Sequence, residues 1–382
     1  METSINLLTA GRKANTQQEL NALLLAHERH LLHKAGGAPA QLSAMDLSRL
    51  NFAQRNLTDA DLSGATLKQA VMARATLERA NLYCADLRLA DLRHANLAFA
   101  DMRGTSLRGA NLSCAILDNA DLRAATMSRP GAEAVSVPEK RGMSGMPRWS
   151  APGNVDFSNC SMKRASLNGA NLKGANFSGA MLQGADFKGA RLADVTFKDA
   201  ILTGVNLADL QVPAEALAGA VTEPSTECVA RAADLKSMLD FHQLWIRTGG
   251  REGAPAVFDG EDLRPLQTYL AGRHLTGLSA RNAVAIGVNF AGCQLQGARF
   301  EGADLRDADF SDADLRAASF RGARLSHARF AKADLRPLIL TDGRRRDVDL
   351  WEALALADQF AGAKLDRSIE ELGLRPAESE TA

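Results

Sequence analysis

The chain has 382 residues, 45 of them basic and 45 acidic, and no net formal charge. That balance excludes a chain-wide electrostatic footprint for nucleic acid and a broadly acidic surface. Hydrophobic residues reach 46 % but aromatics only 5 %, so any core has to be built mostly from Leu and Ala.

The five Cys (Cys84, Cys114, Cys160, Cys228, Cys293) are scattered, with no C-x-x-C pair. A reducing, cytoplasmic setting is the simplest expectation. The opening METSINLLTAGRKANTQQ lacks a basic segment followed by a long apolar run, so no signal peptide is expected. No stretch approaches the roughly 18 apolar residues of a membrane span, and no membrane contact is expected.

The first element in the chain is a helix over 16–34, TQQELNALLLAHERHLLHK. Thr16 and Glu19 have the spacing of a capping box. Leu20, Leu23, Leu24, Leu31 and Leu32 make an apolar face, and Gly36 and Gly37 end it. Residues 1–37 read as an N-terminal helical cap.

From 38 to 211 the sequence repeats every five residues, as in LYCADLRLADLRHANLAFADMRG at 82–104. A helix would carry successive Leu residues around every face, leaving no buried stripe. In a straight strand an odd step of five would flip each Leu to the opposite side. Both Ala and Leu stay inside only if the chain turns a corner once per pentad, winding into a coil. Central Leu, Phe or Met residues run unbroken from Leu42 to Met127, from Phe157 to Leu207 and from Phe290 to Leu340. In 29 of these 40 pentads the residue two before the centre is Ala.

Tandem A-[D/N]-[L/F]-x-x resembles the pentapeptide-repeat proteins over roughly half the chain. The resemblance implies an all-β solenoid, a right-handed quadrilateral parallel β-helix of twenty residues per coil. The expected core ladder includes Leu62, Leu82, Leu87, Leu92, Leu97, Phe177, Phe187, Phe300, Phe310 and Phe320.

Residues 128–156 hold four prolines and no pentad pattern, and read as a loop extruded from a continuing coil. Residues 212–253 read as a linker and a second cap helix. LKSMLDFHQLWIRTGGREGAPAVF parallels LNALLLAHERHLLHKAGGAPAQL, each with a His (His242, His27), a Gly-Gly stop and Ala-Pro-Ala, which suggests duplication. A second β-helix is expected over 254–345, with a slip in frame within 264–289. Residues 346–382 read as a C-terminal cap and polar tail, with a short helix over 350–361 started by Asp349 and Glu352.

Chemistry is sparse. His27, His30 and His33 drift around the helix rather than converge, so no metal is expected. Stacked Asp61, Asp101 and Asp121 look like a carboxylate ladder, but Arg103 and Arg123 share the face and the glycine-rich calcium repeat is absent. No catalytic motif stands out, so neither an enzyme nor a cofactor is expected. Ser48, Lys68, Arg88 and Arg108 lie twenty apart, with Arg49 and Arg129 close by, as a candidate docking row. Asp46 and Asp86 interrupt it, and without interleaved aromatics it argues against nucleic acid.

The leading reading is a non-catalytic, protein-binding scaffold presenting flat walls. The alternative comes from the family's topoisomerase-protecting branch, a DNA mimic acting on gyrase. It would rest on Asp304, Asp307, Asp309, Asp312 and Asp314, which Arg321, Arg324, Arg329 and Lys332 follow closely. Trp351, Leu354 and Phe360 in the C-terminal cap are the candidate contact for a homodimer.

Overall fold

One pentad explains the backbone. In Ala65–Gln69, Leu67 donates its N–H to the Asp86 carbonyl (2.7 Å) and Gln69 to Arg88 (2.9 Å) in the following coil. Thr66 donates back to Met45 (2.8 Å), and Ala70 donates to Leu67 (3.1 Å), closing the turn. The corner residue takes a left-handed conformation, as at Gln69 (φ 58°) and Gly64 (φ 64°). That conformation costs a non-glycine residue about 1–2 kcal/mol, which the inter-coil hydrogen bonds offset. A third device explains the Asp or Asn before each centre: its Oδ1 accepts the N–H two residues on, as in Asn51 to Ala53 (2.8 Å) and Asn56 to Thr58 (3.0 Å).

The structure, a computed structural model, describes residues 16–125 and 154–374. It divides into two units, at Glu223 and Pro224. In both, parallel pairing mostly joins residues twenty apart, so four pentads complete each coil of a β-helix. The described centres other than Leu207 and Leu340, and the Ala residues two before them other than the half-buried Ala190, are buried. Among the described residues, conventional sheet is limited to one antiparallel pair, β1 (Leu338–Ile339) and β2 (Arg345–Arg346).

The first unit opens with α1, Gln17–Leu31, whose Thr16 side chain accepts the Glu19 N–H (3.2 Å). Leu20 and Leu24 join the same buried cluster as Leu42 and Phe52. His27 completes the buried face, whereas Leu32, beyond the helix end, is exposed. After Leu122 the pairs Asn111↔Asp156, Ile116↔Ser161 and Asp121↔Ser166 carry the coil past a long insertion. Val155 and Asp156 already belong to the resumed coil; Met127, Arg129 and most of 128–156 lie outside the described residues. At the far end Leu207 leaves the ladder, exposed in a 3-10 turn (Leu207–Asp209), and Leu210 is buried instead. Asn206 still accepts the Ala208 N–H (3.2 Å), as in a regular pentad, but the chain then continues as a 3-10 turn.

The second unit opens with α2, Thr226–Arg247, which starts within the stretch read as linker. Ser225 caps it, its Oγ accepting the Cys228 N–H (3.2 Å). The clasp between helix and coil is the same in both units. Ala38 donates to Ala26 and Ala254 to Phe241, while the ring Nδ1 of His27 and of His242 accepts the N–H of Ala40 and Ala256. Gly37 packs against the His30 backbone and Gly253 against those of Phe241 and Trp245, so closely that no Cβ fits.

The frame slip resolves in the first coil, which bulges by two residues through a 3-10 turn at Arg264–Leu266: Val257 pairs with Ser279 and Asp262 with Val284. The regular frame then runs from Leu270 through Leu275, Ala280 and Ala285 to Phe290, all fully buried. At Ala280 the sizes are exchanged, with Leu278 taking the place of the usual small residue. Beyond Leu335 the β1–β2 hairpin interrupts the coil. Leu340 sits in its turn, its N–H donating to Arg344, and not in the core ladder. Ser319↔Asp349, Arg324↔Leu354 and Asp334↔Lys364 then restore the coil. No helix covers 350–361 apart from a 3-10 turn at Ala357–Phe360; Glu352 is a left-handed corner (φ 59°), and Leu350, Ala355 and Phe360 are core.

Candidate interaction surface

The wall charges are arranged by one local motif. Where Arg stands two residues after the Asp, the guanidinium folds back onto the carboxylate as a bidentate fork. Among the described residues eight such forks occur, at Asp86, Asp91, Asp101, Asp121, Asp262, Asp304, Asp314 and Asp334, with Nε–Oδ1 at 2.8–3.0 Å and Nη2–Oδ2 at 2.6–2.9 Å; in the hairpin Arg344 instead bonds Asp342 Oδ2 through Nε (2.6 Å). Each carboxylate also accepts the Arg backbone N–H, so the turn itself sets the fork geometry. The Arg103 and Arg336 guanidiniums hold Asp101 and Asp334 below the usual carboxylate range.

This motif dissolves both charge patterns expected from the sequence. In the basic row Asp86 binds Arg88 (2.6 Å) and also Lys68 (3.4 Å). Ser48 donates to Asp46 (2.6 Å), Arg49 to Gln69 (2.9 Å), and Arg108 is half-buried. In the acidic cluster Asp304 pairs with Arg306 (2.6 Å) and Arg324 (3.7 Å), Asp309 and Asp307 with Arg329 (2.9 and 3.8 Å), and Asp314 with Arg316 (2.6 Å). Among the described residues, Asp312 is the member without an ion pair, exposed at a left-handed corner. Most of these pairs are partly exposed and worth about 1 kcal/mol or less each, while Arg306 is buried in its fork with Asp304; together they compensate most of the charge of both patterns.

The expected core residues Leu62, Leu82, Leu87, Leu92, Leu97, Phe177, Phe187, Phe300, Phe310 and Phe320 are all buried. Phe157, Phe177 and Phe197 stack at 5.0 and 5.1 Å, and Phe290, Phe310 and Phe330 at 5.1 and 5.2 Å. Of the three C-terminal candidates, Trp351 and Leu354 are exposed. Phe360 is not a surface residue: it stacks on Phe330 at 4.5 Å and closes the ring column.

An open groove of about 450 Å3 lies between the end of α1 and the first coils, lined by His30, His33, Thr58, Asp59 and Arg79 among others. Its charges are closed on each other, with Arg79 and Asp59 bonded at 2.8 and 2.9 Å. Among the described residues no cluster could hold a metal, and no helix is long and apolar enough to cross a membrane.

A feature missed in the sequence lies in its most regular stretch. Tyr83, Leu89 and Phe99 belong to a single coil and are 48, 48 and 57 % exposed. Leu89 and Phe99 are corner residues, both at φ 60°. Among the described residues no other Leu, Phe, Ile, Val, Met, Tyr or Trp stands at a left-handed corner; Gly, Asn, Asp, long polar residues, His, Cys and Ala do. The signal was a bulky apolar residue two places after a centre. Arg103 lies over the Tyr83 ring at 5.5 Å.

The family model for pentapeptide repeats matches in eight copies, over 40–129, 153–209 and 267–336, more than half of the chain. None of the curated proteins compared with the sequence matches it. Among solved structures, HetL from the cyanobacterium Nostoc sp. strain PCC 7120, a pentapeptide-repeat protein involved in heterocyst differentiation regulation, is 21 % identical over 84 % of this chain and 97 % of its own, with a TM-score of 0.19. A thylakoid-lumen pentapeptide-repeat protein of Arabidopsis thaliana is 23 % identical over 36 % of this chain and 68 % of its own (TM-score 0.18). The plasmid-mediated fluoroquinolone-resistance protein QnrB1, as a trypsin-treated M102R variant, is 15 % identical over 80 % of this chain and 97 % of its own (TM-score 0.18).

Proposed function

The chain belongs to the pentapeptide-repeat family, and from that premise we propose that it is a non-catalytic scaffold that binds a protein partner on its coil walls. Its coils take the family's right-handed, four-sided form, with α1 and α2 as caps of the two units. The observation that carries the reading is the coil bearing Tyr83, Leu89 and Phe99: exposed apolar side chains on walls whose charges are internally paired. A reducing compartment such as the cytoplasm suits five unpaired thiols.

A DNA mimic would need carboxylates free to replace phosphates, and in the 304–314 cluster the arginines occupy most of them. A homodimer through the last coil would use Trp351 and Leu354, without Phe360; Leu354→Glu then reduces the mass seen in light scattering.

The test is affinity capture with the intact tagged chain and nuclease present, beside the double variant Leu89→Asn, Phe99→Gly. A protein enriched by the parent chain and lost from the variant supports the scaffold. Enrichment of gyrase or topoisomerase subunits, reduced by Asp312→Asn instead, would overturn it in favour of the mimic.

A further inference from the structure

Both units hold their helix by a buried histidine that must be neutral. The Nδ1 of His27 accepts the Ala40 N–H (3.0 Å), and its Nε2 donates to the Thr58 carbonyl (2.9 Å). The Nδ1 of His242 accepts the Ala256 N–H (3.0 Å), but its Nε2 has no partner. A ring nitrogen that accepts carries no proton, so both rings are the Nε2–H tautomer. A proton on Nδ1 would set N–H against N–H and break the bond that ties helix to coil.

The surroundings of the two rings differ. His27 is faced by Glu28 and His30 on α1 and by Asp59 on the coil; Arg55 pairs with Glu28, and Arg79 with Asp59. Burial, the largest influence, lowers the His27 pKa, with His30 adding to it; the Thr58 carbonyl and the two carboxylates oppose this only in part. His242 has the Trp245 ring against it at 5.7 Å. Burial is what lowers its pKa, and the Arg231–Glu261 and Arg281–Asp259 charges of α2 and the first coil are paired with each other.

We infer that the two histidine clasps are a graded acid-sensitive latch, in which mild acidification loosens α2 on the first coil of its unit more than it loosens α1 on its own. Release uncovers the apolar surface that Leu235 and Leu239 share with Phe258 and Leu263.

The direction follows from linkage. Burial pushes the docked His242 below the ordinary value near 6.5, and the detached ring titrates at that value. Docking is therefore unaffected by pH above about 6.5. It weakens up to tenfold per pH unit below that, until the docked ring itself takes a proton. For His27 the same burial is partly compensated, so the loss is smaller.

The experiment is hydrogen exchange by mass spectrometry on the intact chain at pH 7.5, 6.5 and 5.5, corrected for intrinsic rates. Protection of 226–247 should fall by up to about tenfold between pH 7.5 and 5.5, most of it below pH 6.5, and that of 17–31 less than threefold. His242→Gln, which cannot titrate, should make protection of 226–247 independent of pH. Should that variant leave α2 undocked throughout, side-chain 15N spectra of the parent chain decide: His242 must titrate together with the loss of α2 protection, and below His27. Equal protection of α2 at pH 7.5 and 5.5, or release of both helices at one pH, would overturn the latch.

Discussion

Asp91 does two jobs at once, and they can be separated. Its Oδ1 accepts the Arg93 N–H at 3.2 Å, setting the turn, and both oxygens grip the guanidinium at 2.9 Å. Asn at the same place in other pentads makes the turn bond without the charge, as Asn81 does to Tyr83 (3.1 Å). Asp91→Asn should therefore cost less than about 1 kcal/mol, whereas Asp91→Ala, which loses both, should cost about 2 kcal/mol in urea unfolding. The corner position tests the opposite sign. At Leu89 (φ 60°) a β-carbon is strained, and Asn tolerates that conformation without the unfolded-state entropy of Gly. Leu89→Asn should raise stability by about 0.5–1 kcal/mol, measured as a higher urea midpoint. A loss instead would mean that Leu89 packs in the fold and is not held for a partner.

At the scale of the pentad and its stack, the ring columns carry much of the second unit's cohesion. Phe310 lies between Phe290 and Phe330 and meets Phe300 and Phe320 edge-on at 5.8 and 5.5 Å. Phe310→Ala opens a cavity that neighbouring coils, bonded above and below, cannot close, and should cost about 3–5 kcal/mol. Phe310→Leu, the other natural occupant, should cost less than about 1.5 kcal/mol. The pentad was legible because burial repeats with the corner, so Leu87 or Phe310 could be placed inside from spacing alone. Where the period continued without the corner, spacing misled: Leu207 and Leu340 keep the count, yet a 3-10 turn and a hairpin carry them out of the stack. Ala280 and Ala285 hid the frame because Leu278 supplies the missing bulk. The forks were invisible as pairs, since a charge row read by position says nothing about a guanidinium folding back on its own turn.

At the scale of the molecule, each unit has its own buried cluster among the described residues, Leu20 to Leu210 in the first and Ala232 to Leu374 in the second. In a solenoid each coil depends on its neighbours, so cooperativity extends as far as the stack of coils and stops where it stops. The duplicated helix clasp gives each stack its own covered start, and in the second unit Ile369, Leu372 and Leu374 join the buried cluster at the far end, with Leu350 donating to the Leu372 carbonyl (2.9 Å). Each cluster therefore has what independent folding needs, and a single two-state transition is not expected. Calorimetry of the intact chain at pH 7.5 should show two transitions. Phe310→Ala should lower one of them by about 10 °C and leave the other in place, while Phe177→Ala should do the reverse. A single transition that both variants move equally would mean that the two clusters unfold as one, and that their separation in the structure has no energetic counterpart.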